Sequence, residues 1–329
     1  MSDQKVRFGL TLPNRGVIIG ATTVEELLAL SEKAEEAGWD SVWVGDSIFA
    51  KPRLDALVLL GALAARTRRV KLGPACFASM PLRHALLLAY QWCCLDFMSN
   101  GRTIFVACQG AKEGGGKFEE EFAAFQVDPA TRMRRMEEAI EILRLTTSQE
   151  HVSYQGHYNQ FTDVTVLPRP VQQPIPIWVT ANPDPRFPKM AERALRRVAR
   201  YGDGWMTTGN TPASFTEHLA AIQHYAGEEG RNLNPNFEAC LYYNINVNED
   251  RQAAFQESKK FLDTYYSVDY PRSFVEHWVA LGSPQECIDH LRAFINAGAT
   301  TITLRLTSYD QQRQFERVTN EVLAPLLHE

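Results

Sequence analysis

The sequence predicts an α/β chain: a closed (β/α)8 TIM barrel with insertions after strands four and seven, in one domain covering residues 1–329. Three observations predict it. Short apolar runs of strand length alternate with helical stretches along the whole chain, the runs number eight, and no linker, low-complexity tract or short-period repeat divides them.

Val6 to Leu12 reads as a buried strand. Thr23 to Ala37 reads as a helix with Val24, Leu27, Leu28, Ser31 and Ala34 on one face, Thr22 or Thr23 as N-cap and Gly38 as its stop. The alternation repeats through strand Ser41 to Val44, helix Leu54 to Arg66, strand Val70 to Gly73, helix Leu82 to Phe97 and strand Thr103 to Cys108. A long connection, Gly110 to Pro129, holds Gly114-Gly115-Gly116 and the acidic run Glu119-Glu120-Glu121; connections of that length inside a domain are usually functional lids or disordered. Helix Arg132 to Leu145 follows, then a β-excursion over His151 to Val166 turning at Gln155-Gly156, and strand Ile177 to Thr180. The remainder is helix Lys189 to Tyr201, strand Gly204 to Thr207, helix Pro212 to Gly227, strand Glu238 to Val247, helix Asp250 to Tyr265, an irregular stretch to Leu281, helix Pro284 to Ala297, strand Thr301 to Leu306 and helix Gln311 to Leu327.

A formal charge of −5 gives no basic field for nucleic acid or an anionic membrane, so a small molecule is the expected partner. The start has charge where a secretory signal needs an apolar run, and no stretch approaches the roughly 20 apolar residues of a membrane span. A cytoplasmic protein is expected. The six cysteines show no Cys-x-x-Cys spacing and read mostly as small core residues.

Generic cofactor signatures fail. No Gly-x-Gly-x-x-Gly follows the first strand, and Gly110 to Lys117 misses a phosphate loop by one residue, with Phe118 where a Ser or Thr is required. No metal is expected, because the eight histidines are dispersed; His84 and His290 lie in predicted helices and read as structural. What stands out are polar or special residues at the C-terminal ends of the strands, where barrel enzymes build their sites: Asp46 and Ser47, Cys76, Cys108 and Gln109, Asn182, and Arg305.

Several ordered segments carry a family resemblance. They are Ala34-Glu35-Glu36-Ala37-Gly38-Trp39-Asp40-Ser41-Val42-Trp43-Val44-Gly45-Asp46, Arg69-Val70-Lys71-Leu72-Gly73-Pro74-Ala75, Leu95-Asp96-Phe97-Met98-Ser99-Asn100-Gly101-Arg102, Glu121-Phe122-Ala123-Ala124-Phe125, Pro170 to Val179, Tyr201-Gly202-Asp203-Gly204-Trp205 and Gly282-Ser283-Pro284-Gln285-Glu286-Cys287. In order and spacing the chain resembles the bacterial-luciferase-like flavin and coenzyme F420 oxidoreductases.

The resemblance implies a flavin or deazaflavin over the strand ends and a non-proline cis peptide near Ala75-Cys76. It places Ala75, Cys76 and Cys108 beside the ring, and Gln109 near the phosphate. Thr180, Ala181 and Asn182 follow as cofactor contacts at the end of strand five. The chain departs from the luciferases where an Arg would follow Cys108, where Asn182-Pro183 replaces Glu-Ser, and where Ser47 replaces a catalytic His. Lys112, Arg186, Lys189 or backbone amides at a helix N-terminus are expected to replace the missing phosphate contacts. Ser47, Cys108 and Arg305 are the candidate catalytic residues, Arg305 meeting an anionic group or pairing with an acid. Phe49, Phe77, Met80, Trp205 and Met206 are expected to wall the substrate. The leading expectation is a monooxygenase using reduced FMN from a separate flavin reductase, with O2; F420-dependent hydride transfer is the alternative and a non-catalytic flavin-binding protein the third reading. A homodimer is expected.

Overall fold

The computed structural model describes residues 5–111 and 115–328. Lys112 lies outside the described residues. The elements run β1 (Arg7–Leu12), α1 (Val24–Glu36), β2 (Ser41–Val44), α2 (Ala56–Arg66), β3 (Lys71–Pro74), α3 (Ala85–Ser99), β4 (Phe105–Ala107), α4 (Phe118–Ala124), α5 (Arg132–Ser148), β5 (Val152–Gln155), β6 (Gln160–Val164), β7 (Ile177–Thr180), α6 (Pro188–Tyr201), β8 (Gly204–Thr207), α7 (Pro212–Glu228), β9 (Glu238–Val247), α8 (Arg251–Tyr266), α9 (Arg272–Trp278), β10 (Val279–Gly282), α10 (Pro284–Asn296), β11 (Thr301–Leu306), α11 (Gln311–Arg317) and α12 (Ala324–His328). A π-turn over Val318–Leu323 joins the last two helices. Among the described residues no helix is long and apolar enough to cross a membrane.

Every strand expected from the sequence is present, and three elements are new. α4 lies in the long connection after β4, while α9 and β10 occupy the stretch read as irregular. β10 is only Val-Ala-Leu-Gly, four residues whose strand character comes from pairing with β9 rather than from any alternation. His84 is the N-cap of α3, not an interior residue, because the chain before it runs through a 3-10 turn at Met80–Leu82. His290 is structural as expected, its Nε2 2.8 Å from the Tyr243 hydroxyl.

The chain divides into two compact units. The first comprises 14–35 and 42–177. Here the ends of β2, β3 and β4 are tied by Ala75 N–H to Val44 O at 2.8 Å and Phe77 N–H to Val106 O at 2.9 Å. Phe77, Trp92 and Phe105 fill the space between β4 and α3, with Trp92 edge-on to Phe105 at 4.7 Å and Phe77 stacked on it at 5.4 Å.

Several family motifs here are backbone clamps. Glu35 accepts the N–H groups of Arg68, Arg69 and Val70 at 2.5–3.0 Å, which sets the entry into β3. Arg102 spends all five of its N–H donors inside the same region: Nε on Ser99 O, Nη1 on Thr67 Oγ1 and Val70 O, Nη2 on Ala64 O and Thr67 O, at 2.7–3.1 Å. Glu138 of α5 likewise accepts from the N–H groups of His157, Tyr158 and Asn159, holding the β5–β6 turn.

The second unit comprises the described part of 1–13, with 36–41 and 178–329. Its strands are parallel in the order β1-β11-β9-β8-β7, and β10 adds to the far end of β9. β9 is long enough to pair β8 through 238–241 and β10 through 244–247 on the same edge. The Ser283-Pro284-Gln285-Glu286 motif is a capping box opening α10, and Thr211 with Ser214 does the same for α7.

Candidate active site

In the first unit, β2 delivers Asp46 at its C-terminal end. Its side chain is 1% exposed; it accepts the Ser79 N–H at 2.6 Å and lies 3.9 Å from the Arg83 guanidinium, which is itself held by Asp55 at 2.6 Å. Burial pushes the Asp46 carboxyl above its ordinary value, opposed by the Ser79 N–H and by Arg83. Ser47 points elsewhere: its hydroxyl accepts the Lys51 N–H at 3.0 Å and closes the following turn. That turn is clamped by Glu121 of α4, whose Oε2 accepts from Ile48, Phe49 and Ala50 at 3.0, 2.5 and 2.9 Å. An isolated acidic run in the sequence thus contains one buried carboxylate that shapes the loop after β2.

Lys51 in the same loop is buried. Desolvation, with Arg53 and Arg15 nearby, lowers its pKa to about 8. A lysine whose folded pKa lies below its unfolded value costs stability while charged in the fold. The cost is full below about pH 8 and is relieved as pH rises from there toward 10.5. Lys51→Met is therefore expected to raise stability at pH 7, by up to about 3 kcal/mol, and to abolish the alkaline gain of the wild type. Melting both proteins from pH 6 to 10 checks this; parallel curves would contradict it.

At the ends of β3 and β4 the loops 75–79 and 108–110 meet. The Ala75–Cys76 peptide is cis, at the position implied by the resemblance. Gly110, at φ +70°, approaches so closely that a Cβ would lie 2.7 Å from Ala78 O. The Cys76 and Cys108 thiols are hydrogen-bonded neighbours, and that contact with burial raises the Cys76 pKa well above its ordinary value. A neutral Cys76 is a floor, not a nucleophile. Among the described residues no hydrogen-bond partner meets Gln109 Oε1, which is buried.

Two of these features fit a flavin or deazaflavin: a neutral sulfur-lined surface and an acceptor for a ring N–H or side-chain hydroxyl. The expected substrate wall is corrected. Phe77, Met80, Trp205 and Met206 are at most 3% exposed and belong to the core, with Phe49 alone exposed and stacked on Phe125 at 5.7 Å.

In the second unit, Ala181 O accepts the Trp205 Nε1–H at 2.9 Å, and Asn182 Oδ1 accepts from Thr208 N–H at 2.9 Å and Thr207 Oγ1 at 3.2 Å. Asn182 therefore ties the loop after β7 to the end of β8, next to Thr180. Arg186 is bound to Asp184 at 2.6 Å.

Arg305, near the end of β11, is 1% exposed and pairs in register with Asn244 of β9. Its guanidinium carbon lies 5.2, 4.5 and 5.5 Å from the rings of Tyr242, Tyr265 and Tyr266, and Nη1 donates to the Tyr266 hydroxyl. Among the described residues no carboxylate pairs with it, and the tyrosines are what hold its pKa above the ordinary value against desolvation. Burying a cation costs several kcal/mol, and a ring face returns about 0.5–2 kcal/mol. Positive charge is thus the dominant electrostatic feature of this cage.

The sequence matches the family described as luciferase-like monooxygenase across residues 6–301. The chain belongs to that family. Among relatives of this luciferase-like protein is the F420-dependent glucose-6-phosphate dehydrogenase of Kineococcus radiotolerans, 26% identical, with 92% of this chain and 93% of the relative covered. The F420-dependent secondary alcohol dehydrogenase solved with an F420–acetone adduct superposes with TM-score 0.82 at 16% identity over 99% of this chain and 100% of that one. Monooxygenase RslO1 from Streptomyces bottropensis superposes with TM-score 0.79 at 24% identity over 97% and 99%. These likenesses show the fold, the luciferase-like (β/α)8 barrel. The protein is a luciferase-like oxidoreductase.

Sequence reasoning named Asp46 but preferred its neighbour Ser47, and it missed Tyr242, Asn244 and Tyr266. A signal existed for two of them: Tyr242 and Asn244, with Asn246, are polar residues at a period of two along one strand.

Proposed function

We propose that this protein is an F420-dependent oxidoreductase that moves a hydride between the deazaflavin and a hydroxyl- or carbonyl-bearing carbon of a small molecule. The observation that carries this reading is full-length similarity to F420-dependent glucose-6-phosphate dehydrogenases, at 26% identity over 92% of this chain. The missing luciferase anchors at Gln109 and Pro183 weigh the same way, because they remove reasons to expect a luciferase-style FMN phosphate site.

The deazaflavin supplies two-electron hydride chemistry when bound. In this reading Ala75, Cys76 and Cys108 form a neutral floor for it and Gln109 accepts one of its N–H or O–H donors; Thr180, Ala181 and Asn182 are kept as cofactor contacts on the family resemblance alone. Lys112 is the assigned source of phosphate charge. Asp46 takes the proton of the substrate hydroxyl in oxidation and returns it in reduction, its raised pKa bringing it nearer the working pH. Ser79 and Arg83 hold that carboxylate in place. The enzyme works as a cytoplasmic homodimer.

A second reading, an FMN monooxygenase fed by a separate flavin reductase and consuming O2, is favoured by the description of the family itself. Binding titrations with F420 and FMN, beside anaerobic turnover of F420 with a panel of alcohols, separate the two. F420 is expected to bind at least about tenfold more tightly than FMN, a difference of about 1.4 kcal/mol. Tighter FMN binding, with oxygen consumed only when FMN and a reductase are present, would replace the first reading by the second.

A further inference from the structure

We infer that Arg305 and the tyrosines around it form the subsite for a substrate carboxylate, so that the substrate is a small planar monocarboxylate. The inference deepens the proposed oxidoreductase reading and rests on it for the word substrate; the anion subsite itself does not.

The cage is built from one unit. Tyr242 and Asn244 lie on one face of β9, Arg305 is opposite Asn244 on β11, and Tyr265, Tyr266 and Trp278 close over them from α8 and α9. Two polar atoms at its centre are buried with no hydrogen-bond partner among the described residues, Arg305 Nε and Asn244 Oδ1. Each has its neighbouring donor engaged: Arg305 Nη1 is on Tyr266, and Asn244 Nδ2 donates to Trp278 O at 3.1 Å. An orphaned donor on a buried cation calls for an acceptor that carries negative charge.

The geometry selects the class of anion. Tyr266 occupies the Nη1 side of the guanidinium and leaves the Nε edge, which matches a carboxylate in a two-bond fork. One cation supplies one charge, which suits a monoanion better than a phosphate dianion. Tyr242, Tyr266, Tyr270, Phe274 and Trp278 form a continuous aromatic cluster, Tyr270 stacking on Phe274 at 4.6 Å and Trp278 edge-on to Tyr242 at 6.1 Å, so the body that accompanies the carboxylate is flat and apolar. Asn244 Oδ1 accepts a hydroxyl or N–H on that body. The cage is closed over Arg305, and Trp278 is pinned by its indole N–H on Thr208. Entry of the ligand therefore displaces the Tyr266–Trp278 side and alters the environment of the Trp278 indole.

The test is calorimetric titration of the full chain with benzoate, neutral benzamide and inorganic phosphate, with tryptophan fluorescence followed in parallel. Benzoate is expected to saturate and to bind at least about tenfold more tightly than benzamide or phosphate. Arg305→Met is expected to weaken benzoate roughly 10- to 100-fold, the loss of charge-assisted hydrogen bonds. Arg305→Lys, which keeps the charge without the fork, is expected to lose about fivefold or more and serves if the methionine variant does not fold. Tyr266→Phe, which frees Nη1, is expected to retain binding. No benzoate binding to the wild type, equal binding in both Arg305 variants, or a preference for phosphate overturns the inference. Benzoate binding in a protein that takes up no F420 overturns the proposed cofactor and leaves the subsite standing; F420 binding without benzoate binding does the reverse.

Discussion

Asp46→Asn is expected to lower turnover by about 10²- to 10⁴-fold, the usual contribution of a positioned general acid or base, while leaving F420 affinity within about threefold, a change under about 1 kcal/mol. The variant keeps the shape of the side chain. Asparagine Oδ1 still accepts the Ser79 N–H that Asp46 accepts at 2.6 Å, and Arg83 keeps Asp55. What it loses is the capacity to take and return a proton.

The same substitution has a stability signature whose sign follows from the shift. The Asp46 pKa is raised in the fold by burial, so the folded state favours the protonated form. The corresponding stability is present at low pH and lost as pH rises through the raised value. Asp46→Asn mimics the neutral form and lacks that decline, so the variant gains on the wild type as the pH becomes less acidic. Turnover measured across pH beside thermal melts checks both halves. An unchanged rate removes Asp46 from proton transfer, and a wild type that gains stability with pH relative to the variant would contradict the direction of the shift.

Arg102→Met is expected to destabilise the protein by roughly 3–5 kcal/mol, the range for breaking a buried charged network by removing one partner. Five donors hold four backbone carbonyls and the Thr67 hydroxyl, at the end of α2, the entry to β3 and the end of α3. Methionine fills similar space but donates to none of these acceptors; of them, Thr67 O keeps a donor in Arg68 Nη1 at 2.9 Å. Arg102→Lys recovers only part of the loss, since an ammonium has three donors and no planar fork. Chemical denaturation with urea reads the difference directly. A loss under about 1 kcal/mol would mean that water reaches the acceptors and that the guanidinium is not what closes the turn.

The two residues mark the boundary of what the chain's own pattern makes legible. Arg102 and Glu35 stand inside motifs that identify the family, and their function in the fold is to clamp backbone; a motif read as a signature is here a set of unsatisfied N–H and C=O groups finding partners. Asp46 was visible as a polar residue at a strand end, but its burial was not, because that burial and the bond from Ser79 come from a loop more than thirty residues away. Glu121 was hidden in an acidic run with the composition of a solvated helix face. The substrate wall failed for the opposite reason: Phe77 and Trp205 look like any exposed aromatic in sequence, and only packing makes them core.

By itself the sequence determined the alternation of strands and helices, the caps that start them, the family and the strand ends at which polar residues gather, because periodicity, capping and ordered motifs are local and written along the chain. The tertiary structure alone decided that β9 has room for a further short strand and that, among the described residues, Gln109 and Asn244 each present a buried acceptor without a partner and Arg305 sits among tyrosines without a carboxylate. Those are consequences of desolvation and of contacts between elements far apart in sequence, and no local pattern encodes which groups will be left without a partner when the chain has closed around them.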